Sequence, residues 1–333
     1  MPLIATRGAA STRGFGLFAA AGGCCLNDGN KGIFALGYQT GCCASNIRNK
    51  YTYATCTSTA VGVATSSANS VCSSAVGNNT RGIFAIGGTP FPPVATRNKY
   101  TYASCTSTAS GVGSASASAK RGSGAGNNTR GIFALGCSGG SSSIRNKYTY
   151  SSCTSTASGV ASASAATQAC SAAGNSTRGI FSLGYFAGGS LTIRNKYTYS
   201  SCTSTACGVG TASQGAYSGA ASSNSTRAIF ALGCGYPCGL LAIRNKYTFS
   251  SCSSTASGVA SASVKNRCGS AAGNSTRGIF ALGRAQPPAC GALSTTREKY
   301  TYSSCTSTAS GVGTASVVSA NGSAASWATC VNT

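Results

Sequence analysis

ATQACSAAGNSTRGIFSLGYFAGGSLTIRNKYTYSSCTSTACGVGTAS, residues 166–213, is one copy of a phrase that runs six times along a chain of 333 residues. Its GIFALG-like core begins at Gly32, Gly82, Gly131, Gly179, Ala228 and Gly278, each time followed by an RNKYTY-like run and then SCTSTASGV. A period of roughly 49 residues marks a tandem repeat, in which each unit is one supersecondary element that buries its apolar face only against its neighbours.

Inside the unit, the small-residue stretch ATQACSAAG ends at Asn175-Ser176-Thr177. Residues 178–184 read as a short buried strand stopped by glycine. After a variable loop, residues 194–199 alternate with period two, and residues 203–213 form a flat strand of small residues. Four short strands per unit predict an all-β fold, a six-bladed β-propeller of four-stranded antiparallel blades. The Gly-, Ser-, Ala- and Thr-rich composition agrees, since it favours strands and turns over helices.

Seven blades, the last assembled from both termini, and a stacked β-solenoid are the rival folds. The Gly-Asn step before most GIFALG runs, expected to supply the positive φ of a hairpin, argues for antiparallel neighbours and against the solenoid. The same motif spells a glycosylation acceptor at Asn78, Asn127, Asn175, Asn224 and Asn274, which is read here as turn chemistry. The organisation expected is a lead at 1–10, repeats over 11–316 with 11–21 as the first strand of the first blade, and a tail at 317–333 holding Trp327. That tail caps the ring, duplicates a first strand or reaches a second subunit of a homo-oligomer.

Charge is distributed as regularly as the strands. Lys and Arg number 25 against two acids, Asp28 and Glu298, with no histidine, for a net +23 that should attract phosphates, anionic glycans, lipopolysaccharide or a membrane face. One cation precedes each GIF, as Lys31, Arg81, Arg130, Arg178, Arg227 and Arg277. The others are the Arg and Lys of RNKY: Arg48 with Lys50, Arg97 with Lys99, Arg145 with Lys147, Arg194 with Lys196, Arg244 with Lys246 and Arg297 with Lys299. Two-residue spacing aims both members of a pair one way. These twelve are therefore the candidate ligand-binding set, a ring on one face of the disc opposite a ring of six.

The loops joining the second and third strands, at 38–46, 88–96, 137–143, 185–192, 234–242 and 284–296, differ in every copy. They open on the twelve-charge face together with Lys120, Arg121, Lys265 and Arg267 of the blade links. A uniform scaffold presenting unlike loops is how a recognition surface is built. The tyrosine pairs, from Tyr51 and Tyr53 to Tyr300 and Tyr302, are expected to form the inter-blade core rather than stacking platforms.

Of nineteen cysteines, Cys56, Cys105, Cys153, Cys202, Cys252 and Cys305 share one repeat position, where copies in adjacent blades are too far apart to bridge. They are expected as small buried thiols. Local bridges remain open for Cys24 or Cys25 with Cys42 or Cys43, and for Cys234 with Cys238. No metal or cofactor is expected, since no histidine and no second cysteine pair at ligand spacing complete a site. Catalysis is disfavoured by inventory, because general acid–base work needs groups titrating near neutrality and the two acids look unpaired. The N-terminus lacks the apolar core of a signal peptide and no run approaches a membrane span, so membrane insertion is not expected.

The order of a small-residue strand, TRGIFALG, a variable loop and an aromatic strand resembles the kelch repeat. It looks closest to the degenerate kelch-like repeats of bacteriophage and cyanophage structural proteins, with their R-G-(I/V)-F-x-x-G signature, over residues 11–316. The Gly-Gly doublet occurs only as Gly87-Gly88, and the blade tryptophan is missing. The resemblance implies a virion component, a tail, fibre or surface-decoration propeller whose partners are other virion proteins and an anionic host surface polysaccharide or lipopolysaccharide. A free, extracellular lectin-like or adhesin propeller is the alternative. Nucleic acid is not expected, because charges spaced one blade apart suit it less than a flexible basic cluster.

Overall fold

Glycine-bounded apolar runs of four residues, such as Ile33 to Leu36, make strands buried on both faces, and the fold supplies the two faces. The computed structural model describes residues 31–39, 43–88, 92–235, 239–285 and 292–326, which hold strands and no helix. Six four-stranded antiparallel sheets form, and their innermost strands contact one another in a closed cycle. In the fourth blade the order from axis to rim is Ser171–Gly174, Arg178–Ser182, Arg194–Thr198 and Thr203–Thr205.

Each sheet face looks at the next blade rather than at water. Ile180 and Phe181 therefore point to opposite faces and both are fully buried. The core lies in the seams: Ile132 and Ala134 of the third blade pack against Phe181, Tyr197 and Tyr199 of the fourth. The tyrosine pairs are buried in these seams, as Tyr148 and Tyr150 are with ring centroids 5.8 Å apart, edge to face.

Two local expectations change. The turn before the second strand is closed by an asparagine side chain, not by left-handed backbone: Gly174 and Asn175 both keep negative φ. Asn175 Oδ1 instead accepts from the N–H of Thr177 and of Arg178, both at 3.0 Å, while its Nδ2 donates to Ser225 O of the next blade at 3.1 Å. The outermost strand is also shorter than expected. Regular pairing stops at Thr205, and Gly208, at φ 65°, turns the chain back toward the axis.

The ring closes through the tail. Ser323–Ser326 pairs antiparallel with Lys31–Ala35, placing Ala325 opposite Ile33, and so serves as the innermost strand of the first blade. Residues 11–21, expected in that place, and Trp327 lie outside the described residues. Joining the first and last segments of a closed array ties its weakest seam to the rest of the sheet network.

The cysteines are not uniform. Cys56, Cys153, Cys202, Cys252 and Cys305 are free, half-buried thiols, but Cys105 is disulfide-bonded, which overturns the free thiol expected there. Cys234 is free, with Sγ 3.3 Å from Tyr217 Oη, so the bridge to Cys238 that the sequence left open is not formed. The pairings considered for Cys24, Cys25, Cys42 and Cys43 rest on residues outside those described.

Candidate functional site at the axial mouth

The RNKY arginines do not form a surface ring. Arg48, Arg97, Arg145, Arg194, Arg244 and Arg297 are each at most 1% exposed. Because a sheet face in a propeller meets the adjacent blade, a side chain on that face enters the seam. Arg97 shows what it does there. Its Nη1 donates to Gly113 O and Ser114 O of its own blade at 3.3 and 3.2 Å and to Ser155 Oγ of the next at 2.5 Å. Its Nη2 donates to Asn146 Oδ1 at 3.2 Å, and the guanidinium lies 4.4 Å from the centroid of the Phe133 ring. A planar cation with five donors can be buried among neutral acceptors in this way.

The same latch joins Arg48 to Asn98, Arg145 to Asn195, Arg194 to Asn245 and Arg297 to Asn49. In the remaining seam Arg244 meets Glu298, so this acid is paired, contrary to the sequence expectation. The arginines before GIF serve the opposite edge of the seams: Nη1 of Arg81, Arg130 and Arg178 donates to the carbonyls of Tyr150, Tyr199 and Phe249 at 3.0, 2.8 and 3.1 Å. Lys147 shares a groove with Arg81 and Arg130 on that asparagine-turn side. The lysines at 99, 147, 196, 246 and 299 are half-exposed, and Lys50 is buried.

What remains on the loop face gathers at the axis. Cys72, Arg121, Ala169, Ser218, Cys268 and Asn321 occupy equivalent positions just before the six innermost strands, all with φ between 54 and 57°. Their main chains are linked around the axis, from Arg121 N to Cys72 O at 2.9 Å through to Asn321 N to Cys268 O at 2.8 Å. The glycine ending each GIFALG run makes room for this ring. A Cβ at Gly136, whose φ is +83°, would lie 2.4 Å from Lys120 O.

Inside the ring opens a cavity of about 770 Å³. Arg121, Arg267, Arg284, Gln168, Tyr185 and Tyr217 line it. Tyr185 and Tyr217 form an edge-to-face pair with centroids 5.4 Å apart, and Arg121 Nη1 donates to Gln168 Oε1 at 3.3 Å. Two wall thiols feel opposing influences. Burial pushes Cys72 and Cys268 up, while Arg121 beside the first and Arg267 beside the second pull them down.

Sequence reasoning placed Lys120, Arg121, Lys265 and Arg267 on this face, and Tyr185 and Arg284 only as members of variable loops; it missed Tyr217 and the ring. The six ring positions carry five different residue types, so no repeated word marks them. The constant glycine one strand away, at Gly37, Gly87, Gly136, Gly184, Gly233 and Gly283, was the available sign that backbone approaches closely there.

No protein-family model matches this chain, and no curated protein sequence matches it. The class is defined by the structure itself: a six-bladed β-propeller of four-stranded antiparallel blades. Such a fold suits a binding or structural role.

Proposed function

We propose that the protein is a non-enzymatic binding propeller of a virion, a tail, fibre or surface-decoration component, that meets an anionic host-envelope glycan with its loop face. The observation that carries this reading is the accumulation of Arg121, Arg267 and Arg284 around one mouth, where the first residues of the six unlike loops bridge to the blade links and no described carboxylate stands. Cations on this face steer and hold a polyanion, while the dissimilar loops select among polyanions. The virion assignment is supported by the kelch-like repeat resemblance and its phage associations.

The experiment uses charge reversal at exposed loop-face positions outside the buried arginine seams, Arg121→Glu and Lys265→Glu. Retention on purified envelope polysaccharide should fall and its salt dependence should weaken. Unchanged retention in the double variant would overturn the reading. Copurification with intact virions at a fixed copy number tests the particle assignment. Glycan binding without copurification would favour the free lectin-like alternative.

A further inference from the structure

We propose that the axial mouth is a pocket for one monosaccharide bearing a single anionic group, carboxylate or phosphate, clamped by Arg267 and Arg284. This rests on the loop face being the binding surface. The two arginines lie directly opposite each other in an antiparallel pair of two-residue strands, Asn266–Arg267 and Arg284–Ala285. Like charges in that register repel. Among the described residues no carboxylate relieves them, because Glu298 is spent in a buried seam. Arg267 Nε is enclosed without a hydrogen-bond partner, and Arg284 is held by stacking 5.5 Å from the centroid of the Tyr38 ring.

The pairing belongs to this blade alone. Other blades place Lys120 opposite Cys137, Gln168 opposite Tyr185 and Tyr217 opposite Cys234 at the corresponding bridges. Two planar guanidinium forks on adjacent strands, both lining the mouth, suit the oxygens of one carboxylate or phosphate. The rest of the mouth fits a sugar better than a bare ion. Its volume of about 770 Å³ falls within the roughly 300–1,000 Å³ usual for small-molecule sites. The Tyr185–Tyr217 pair offers an apolar ring surface, and the Gln168, Ser218 and Asn321 side chains offer donors and acceptors for hydroxyls.

The test is calorimetric titration of the full chain with glucuronate, glucose 6-phosphate, uncharged glucose and inorganic phosphate, using wild type, Arg267→Ala, Arg284→Ala and Arg284→Lys. Binding is expected for one or both acidic sugars, with the better of the two telling carboxylate from phosphate. Either alanine variant should weaken it about tenfold or more, the worth of a charge-assisted hydrogen bond, with Arg284→Lys intermediate. Ligand-free melting separates lost binding from lost folding: Arg267→Ala removes one of two repelling cations and should melt no lower than wild type, whereas Arg284→Ala also gives up its stacking on Tyr38. Equal affinity for glucose would overturn the role of the anion, and equal affinity for inorganic phosphate would overturn the role of the sugar. If neither acidic sugar binds while envelope polysaccharide is still retained, the pocket proposal fails and the loop-face reading survives. If the polysaccharide is not retained either, both fail.

Discussion

Arg244 Nη2 lies 2.5 Å from Glu298 Oε2 in the seam between the fifth and sixth blades, a contact that in each of the other five seams joins an arginine to an asparagine. Both side chains are at most 1% exposed, and Glu298 Oε1 also accepts from Ser263 N at 2.7 Å. Glu298→Asn should restore the neutral latch of the other seams and shift stability by less than about 1.5 kcal/mol, one ordinary net hydrogen bond. Glu298→Ala leaves a buried guanidinium without its acceptor and should cost about 3–5 kcal/mol. Urea denaturation of the two variants checks this. An alanine variant as stable as wild type would place the seam's stability in its apolar contacts alone.

Deleting residues 323–333 removes the innermost strand of the first blade. Lys31–Ala35 would then present an unpaired edge, with Ile33 and Phe34 losing the cover of Ala324 and Ala325. Exposed edges of this kind pair with other chains. The truncated protein should melt below wild type and elute as mixed oligomers in light-scattering chromatography. A monodisperse species of unchanged melting temperature would show that the ring closes without the tail.

The blade was legible because its strands are written in repeated words. RGIFALG and RNKYT mark the second and third strands to within a residue or two, and small residues mark the first. The fate of Arg97 was not legible. Period-two alternation says that Arg97 and Lys99 share a sheet face, but not that the face is covered by another blade carrying Asn146 and Ser155 about one repeat later. The mouth was hidden for a different reason. Arg267 and Arg284 are distant in the repeat and meet only because a two-residue link strand pairs with the start of a loop. Charge-reversal at Arg97 or Arg145, which a surface ring would have invited, would break seams and say nothing of ligand binding.

Asn127 separates a local turn from an inter-blade bond. Its Oδ1 accepts from Thr129 N and Arg130 N, both at 3.0 Å, and its Nδ2 donates to Ser176 O of the next blade at 2.9 Å. Asn127→Ala removes both functions and should cost about 1–3 kcal/mol, since it leaves polar main-chain groups unmet. Asn127→Asp keeps the acceptor and loses only the donor, so it should fall between. Hydrogen exchange at the Arg130 amide would report the turn directly: fast in the alanine variant, protected in the aspartate one. Equal protection in both would mean that the hairpin holds without the side-chain acceptor.

Stability should be lost at alkaline rather than acid pH. The chain has no histidine and two carboxylates, so little titrates across the acid and neutral range. Burial pushes the hydroxyls of Tyr51, Tyr148, Tyr197, Tyr247 and Tyr300 above their usual pKa, and that of Tyr302 likewise. In the unfolded chain these phenols ionise near about pH 10, whereas in the folded protein they stay protonated to higher pH. Burial pushes the seam arginines down as well, but a guanidinium keeps its proton in proteins, so above about pH 10 the phenols leave the unfolded state with fewer protons than the folded one, and stability declines as pH climbs through the raised folded values. Melting temperature should be nearly flat from about pH 5 to 8 and fall steeply beyond about pH 10, with the phenolate absorbance of the seam tyrosines appearing together with unfolding rather than before it. Replacing Tyr247 by Phe, the residue already present at 249 in the same blade, removes one ionisable hydroxyl from a seam and should shift that alkaline midpoint upward. An unshifted midpoint would assign the transition to groups other than the seam tyrosines.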